Sequence, residues 1–236
     1  MSPAGPVPRL RVENELRDAG YQTVAGLDEV GRGALCGPVT IGAVVLPAPG
    51  QRPPRGLRDS KLLPPQQRRR LVPRIRDWSP ATAVAHASPV EIDRLGIIAA
   101  LRLAAHRALR ALPVPVDIVV LDGNHDYVTR PDELELFDGD WLNTTPAVHT
   151  VIKGDQTCAT VAAASVLAKT TRDELMCELA GAHPEYGWAE NMGYATPAHR
   201  EALRRLGPSP QHRQSWRLGV DGPIEPSRGQ VATEAR

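Results

Sequence analysis

The stretch Thr23-Val24-Ala25-Gly26-Leu27-Asp28-Glu29-Val30-Gly31-Arg32-Gly33 governs the reading of the whole chain. An apolar run suited to a strand ends there in two adjacent carboxylates, followed by an arginine between glycines. Neighbouring carboxylates repel unless a cation or proton neutralises them, and Gly31 and Gly33 leave the backbone bare beside the pair. A divalent cation facing a bare backbone points to phosphate chemistry. Taken alone, the pair reads equally well as a solvated turn, so its partners must be sought elsewhere.

Working outward, Thr23 to Glu29 and Val39 to Leu46 predict two strands that enclose the acidic turn, and Thr82 to Ala87 predicts a third. Asp117 to Asp122 is nearly continuously apolar and ends in Asp122-Gly123-Asn124, the pattern of a buried parallel strand delivering an acid to its carboxyl end. Val148 to Ile152 predicts another strand, ending in Lys153-Gly154-Asp155. Side by side, these strand ends would bring Asp28, Glu29, Asp122 and Asp155 to one edge. In a regular strand Asp28 and Glu29 point to opposite faces. If both bind metal, the strand must end or twist between them, which the following glycines permit.

Helices fill the intervals. A short amphipathic helix runs through Leu10, Val12 and Leu16, and another spans about Pro65 to Asp77, interrupted at Pro73. Ser88 and Glu91 form a capping box ahead of a helix carrying Ile92, Leu95, Ile98, Leu101 and Ala105, with a bend at Gly96. An alanine-rich helix covers Thr157 to about Leu179, and a shorter one follows Thr196. Within the long helix, Ser165 and Lys169 stand one turn apart and either face a phosphate together or decorate an exposed face. Arg200, Arg204, Arg205, Arg213 and Arg217 make the C-terminal part a candidate phosphate-contacting wall. Residues 125 to 146 read as a polar, acidic insertion without calcium-loop spacing. The division is then an N-terminal extension and short helix (1–20), a main domain (21–218) with a helical lobe at about 181–218, and a disordered tail (219–236).

The formal net charge of +1 over 236 residues argues against a protein that coats nucleic acid non-specifically, so any such contact must be locally patterned. Cys36, Cys158 and Cys177 are too widely spaced for a thiolate zinc site or a disulfide framework, and read as buried thiols in a reducing compartment. His125, His149 and His183 share no metal-ligand spacing. With no signal sequence and no run of roughly 18 apolar residues, the expected location is the cytoplasm. Carboxylates without cysteine or histidine suit Mg²⁺ or Mn²⁺ rather than zinc. Two such ions about 4 Å apart could clamp the attacking water and the leaving oxygen of a phosphodiester.

Gly-Leu-Asp-Glu-Val-Gly-Arg-Gly at 26 to 33, Asp-Ser-Lys at 59 to 61, Leu-Asp-Gly-Asn at 121 to 124, Lys-Gly-Asp at 153 to 155, Ala-Ala-Ala-Ser-Val-Leu-Ala-Lys-Thr-Thr-Arg-Asp at 162 to 173 and Gly-Tyr at 193 to 194 together resemble bacterial ribonuclease HII. The resemblance implies an α/β fold of ribonuclease H type: a mixed sheet flanked by helices, with a small helical C-terminal lobe. It implies metal-dependent cleavage of RNA in RNA–DNA hybrids and at single ribonucleotides embedded in duplex DNA, leaving a 3′-hydroxyl and a 5′-phosphate. Asp28, Glu29, Asp122 and Asp155 become the catalytic carboxylates, holding two Mg²⁺ or Mn²⁺ ions. Gly31, Arg32 and Gly33 become the loop that reads the 2′-hydroxyl, the one feature that sets a ribonucleotide apart from its neighbours. Tyr194 stacks near the sugar at the RNA–DNA junction, and Lys61, Ser165, Lys169 and Arg172 become phosphate contacts or supports. A monomer is expected, with a sliding clamp as a candidate partner and no membrane association.

Met192, Leu62 and Gln214-Ser215-Trp216 depart from the pattern that the family implies, which touches phosphate contacts and leaves the acids intact. Two further readings are a ribonuclease HIII relative, for which too few residues precede Asp28, and a silent hybrid-binding module. A magnesium-dependent phosphotransferase would require a Walker motif, and the sequence has none.

Overall fold

The computed structural model describes residues 5–129, 142 and 144–219. Runs rich in valine, isoleucine and alanine form β1 (Val24–Val30), β2 (Val39–Val45), β3 (Thr82–Ala87), β4 (Ile118–Asp122) and β5 (Ala147–Val151). They make one sheet in the order β3-β2-β1-β4-β5. The pairs β1–β2 and β2–β3 are antiparallel, while β1–β4 and β4–β5 are parallel. The helices are α1 (Arg11–Asp18), α2 (Pro65–Trp78), α3 (Pro89–Leu95), α4 (Ile97–Arg110), α5 (Gly154–Thr157), α6 (Ala159–Ala182), α7 (Trp188–Asn191) and α8 (Pro197–Leu206).

The sheet is covered on both faces. On one, Ala25, Leu27, Ile41, Val119 and Leu121 pack against Leu101, Ala104 and Ala108 of α4. On the other, Val44 packs with Leu71 and Ile75 of α2 and with the alanines of α6. Two sheet glycines set how closely α6 lies: a Cβ on Gly26 would come within 2.4 Å of Thr160 Oγ1, and one on Gly42 within 2.3 Å of the Ala164 carbonyl. With no side chain at either position, the helix backbone rests directly on the strands.

Beyond the sheet, α6 continues into a separate core in which Met176 and Ala180 pack with Leu35, Tyr186, Trp188 and Leu203. None of the described helices is long and apolar enough to cross a membrane.

The strands and principal helices lie where the sequence places them, and the Ser88–Glu91 capping box is present. Gly96, at φ +76°, separates two helices rather than bending one. By contrast α2 runs on through Pro73, because the residue sits on the exposed side where the carbonyl it cannot bond stays open to water. Cys177 is exposed, correcting the expectation of three buried thiols, and all three cysteines are free. Most of the acidic insertion (130–141 and 143), residues 1–4 and the tail from 220 onward lie outside the described residues.

Candidate active site

Strand alternation turns Gly26 and Asp28 toward α6, and Ala25, Leu27 and Glu29 toward the opposite face. The expected break between the two acids does not occur: Asp28 pairs with Gly42 and Glu29 with Ile41 in an unbroken ladder. Glu29 is instead held from its own side, with Tyr127 Oη donating to Oε2 at 3.3 Å and Arg32 Nη1 3.6 Å from Oε1. The acids therefore straddle the strand.

Asp122 closes β4 beside Asp28, and the Gly154 amide donates to its Oδ1 at 2.7 Å. Asp155 does not end a strand. The chain turns through Lys153, in the left-handed region at φ +58°, and Asp155 enters from the single-turn helix α5. Lys61 Nζ lies 3.4 Å from Asp155 Oδ2, on a 3₁₀ turn (Ser60–Leu62) capped by Asp59.

The electrostatics record how closely the acids face one another. Burial holds the Asp28 carboxyl well above the usual range, and the charges of Glu29, Asp122 and Asp155 push the same way against Lys61. Burial and then Asp122 push Asp155 up to about 6. Burial also raises Glu29, with the Arg32 guanidinium opposing it.

These residues fit a divalent metal. The donors are hard oxygens carrying more negative charge than Lys61 and Arg32 offset, so an added cation relieves both burial and repulsion. Among the described residues no three of the acids bring one oxygen each within 4.8 Å of one another.

Next to the carboxylates, Glu29, Val30, Gly31, Arg32, Gly33, Ser60, Lys61, Lys169 and Tyr194 line a cavity of about 430 Å³. Gly31 sits at φ +88°, where a Cβ would lie 2.2 Å from Arg172 Nε. Two buried guanidiniums fix this loop. Arg213 donates to the carbonyls of Gly31, Arg32 and Gly37, and Arg172 to those of Pro38, Cys36 and Met192. Tyr194 presents a partly exposed ring, with Arg172 Cζ 5.6 Å from its centroid.

Some expected contacts lie elsewhere. Ser165 is fully buried, donating to the Ala162 carbonyl and accepting from the Ser60 amide, so it supports the Lys61 turn and does not face a phosphate. Arg172 is also fully buried and serves backbone carbonyls. Lys169 lines the cavity with Nζ 2.6 Å from Asp173 Oδ1. Arg213 leaves the proposed cationic wall altogether, stacked at 4.7 Å on Trp216, its basicity pushed down to about 10 by burial and then by Arg172.

Sequence reasoning did not find Tyr127 or the buried cluster of Cys36, His199 and His212, whose ligand atoms lie within 4.8 Å of one another. Each imidazole nitrogen of that cluster has a hydrogen-bond partner within the protein.

Residues 25–218 match the family model described as Ribonuclease HII. The Ribonuclease HII of Streptomyces avermitilis is 51% identical over 210 residues, covering 89% of this chain and 83% of that protein. Two solved structures share the fold. The ribonuclease H2 of Pyrococcus horikoshii OT3 aligns with a TM-score of 0.65 at 27% identity, covering 84% of this chain and 95% of that one. The ribonuclease HII of Archaeoglobus fulgidus, solved as a complex with PCNA, aligns with a TM-score of 0.59 at 26% identity, covering 82% and 93%. Carboxylates gathered at the ends of β1 and β4, the fixed glycine loop beside them and the match across nearly the whole described chain lead to one assignment: this chain belongs to the ribonuclease HII family.

Proposed function

We propose that the chain is a divalent-metal-dependent endonuclease that cuts the RNA strand of RNA–DNA hybrids and cuts 5′ of single ribonucleotides embedded in duplex DNA, leaving a 3′-hydroxyl and a 5′-phosphate. One observation carries this reading: Asp28 lies close enough to Glu29, Asp122 and Asp155 for their charges to raise its pKa, and Glu29 lines one cavity with Gly31, Arg32, Gly33, Lys61 and Tyr194. The acids would hold two Mg²⁺ or Mn²⁺ ions, which when bound supply an activated water and neutralise the leaving oxygen.

The protein's own residues divide the remaining work. Tyr127 and Arg32 orient Glu29, and the Gly154 amide orients Asp122. Lys61 offsets charge beside Asp155 and, being largely exposed, can reach a phosphate oxygen. The glycine loop reads the 2′-hydroxyl at backbone distance, and Tyr194 stacks on the junction sugar. Residues 21–218 are the catalytic domain, with 181–218 closing the cleft. The chain would act as a monomer in the cytoplasm, a reducing compartment that suits three free cysteines, and the PCNA seen with the Archaeoglobus fulgidus relative makes a sliding clamp the proposed partner.

The deciding experiment maps cleavage sites on a duplex bearing one ribonucleotide and on a long hybrid, with Mg²⁺ and then Mn²⁺, for the wild type, Asp28→Asn and Tyr194→Ala. The expected result is a cut 5′ of the ribonucleotide that Asp28→Asn abolishes and that Tyr194→Ala weakens more than cleavage of the long hybrid. Full activity in Asp28→Asn would remove the carboxylate assignment.

A further inference from the structure

Residues 192–194 are gripped from several directions. Met192 and Gly193 adopt left-handed backbone at φ +50° and +82°. A Cβ on Gly193 would meet the Cys36 carbonyl at 2.8 Å and its Sγ at 2.9 Å. Arg172 Nη1 holds the Met192 carbonyl at 2.9 Å. The Tyr194 carbonyl receives the Thr196 amide at 2.8 Å and lies 2.9 Å from His199 Nδ1.

The partners settle which nitrogen of His199 carries the proton. A carbonyl only accepts, so Nδ1 is the N–H donor to Tyr194 and Nε2 is a bare acceptor. Trp188 Nε1 donates to that Nε2 at 3.2 Å, and His212 Nε2 stands 3.1 Å from it. His212 is in turn polarised from behind, because the Ser209 amide donates to its Nδ1 at 2.9 Å and leaves the proton on Nε2. The chain of bonds runs in one direction, from Ser209 through His212 and His199 to the Tyr194 carbonyl. Both rings are fully buried.

We infer that His199 is a positioning residue for substrate discrimination: locked as the Nδ1–H tautomer by His212 and Trp188, it sets the backbone of Tyr194 and through it the attitude of the ring that meets the junction. The inference rests on the junction role proposed for Tyr194. It gives the buried histidines a task that lobe packing alone does not require, since Nε2 already ties His199 to the lobe.

Two substitutions separate the halves of the ring. Asn places its amide nitrogen where Nδ1 stood, so His199→Asn keeps the donor to Tyr194 and loses the lobe contacts. Gln reaches the Nε2 position, so His199→Gln keeps the acceptor for Trp188 and His212 and loses Tyr194. The measurement is the ratio of kcat/KM on a single-ribonucleotide duplex to that on a long hybrid, for both variants, for Tyr194→Ala and for Tyr194→Ala combined with His199→Gln. The expected result is a ratio lowered about fivefold in His199→Gln, the worth of one neutral hydrogen bond, and preserved in His199→Asn. His199→Gln should then add nothing to Tyr194→Ala.

An unchanged ratio in His199→Gln, with a selective loss in Tyr194→Ala, overturns the inference and spares the role of Tyr194. Equal losses on both substrates in Tyr194→Ala overturn that role, and the inference with it. Nitrogen-15 shifts of wild-type histidine give a test that survives misfolded variants: a protonated Nδ1 on His199 supports the relay, and a protonated Nε2 overturns it.

Discussion

The Tyr127 hydroxyl meets Glu29 Oε2 at 3.3 Å on the face of β1 turned away from Asp28, so the two neighbouring acids are steadied by different parts of the molecule. Tyr127 is almost completely buried, and burial followed by the charge of Glu29 holds its phenol protonated, well above the ordinary range. Among the described residues, removing the hydroxyl leaves Glu29 with Arg32. A hydrogen bond to a charged group is worth about 1.5–3 kcal/mol. Tyr127→Phe should therefore lower the melting temperature by a few degrees, and lower single-turnover cleavage by about tenfold where that bond holds Glu29 in its reacting geometry. An undiminished rate would mean that Glu29 needs no orientation from this side.

His212 gives the pH dependence of stability a defined direction. Burial, and then the neighbouring His199, push its pKa down to about 4 from the ordinary 6.5. Above 6.5 both folded and unfolded chains hold it neutral and its contribution is fully present. As pH falls toward 4 the unfolded chain takes up a proton that the folded one refuses, and stability is lost by an amount on the order of 3 kcal/mol. Because the raised carboxyls of Asp28, Glu29 and Asp155 act with the opposite sign in this range, the readout is a difference: between pH 7 and pH 4 wild type should fare worse by this amount than His212→Asn in urea unfolding, and an equal change in both would assign the titration elsewhere.

Gly26→Ala tests the seating of α6. Its Cβ would meet the Thr160 carbonyl carbon and the Val161 amide nitrogen at 2.5 Å, atoms that no rotamer change can move. Overpacking of this kind costs about 1–3 kcal/mol. The urea midpoint should fall accordingly, and cleavage should fall with it because Asp28 lies two residues along the same face.

Arg213→Lys distinguishes clamping from charge. Lysine keeps the charge but cannot fork across three carbonyls, and each buried carbonyl left without a donor costs about 1–3 kcal/mol. We expect a lowered melting temperature and similar losses of cleavage on both substrates. If the residue acted on phosphate by charge alone, lysine would preserve activity at low salt.

Strand period and apolar runs made the sheet legible, and the acids stood out because carboxylates are rare at the ends of buried strands. Asp155 approaches the other acids from a short helix and not from a strand end, since the left-handed turn at Lys153 leaves no trace in residue type. The arginines are only half legible for a related reason, Arg172 standing open between phosphate contact and support and Arg213 grouped with the surface cations. In sequence Arg172 and Arg213 look like any surface cation; only folding supplies the carbonyls that make their burial tolerable. Tyr127 and the His199–His212 pair were invisible because their partners lie far along the chain or belong to the backbone.

The two buried forks also have a mechanical meaning. Arg172 leaves α6 and fastens both the segment after β1 and the Met192 carbonyl of the lobe, while Arg213 fastens the lobe's far end to Gly31, Arg32 and Gly37. Widening the gap between Gly31 and Tyr194 would break several charge-assisted bonds together. The opening between Gly31 and Tyr194 thus behaves as a gauge of set width. On the proposed reading, a helix whose grooves already match would enter without strain, whereas one that must be bent or widened would bear that deformation itself.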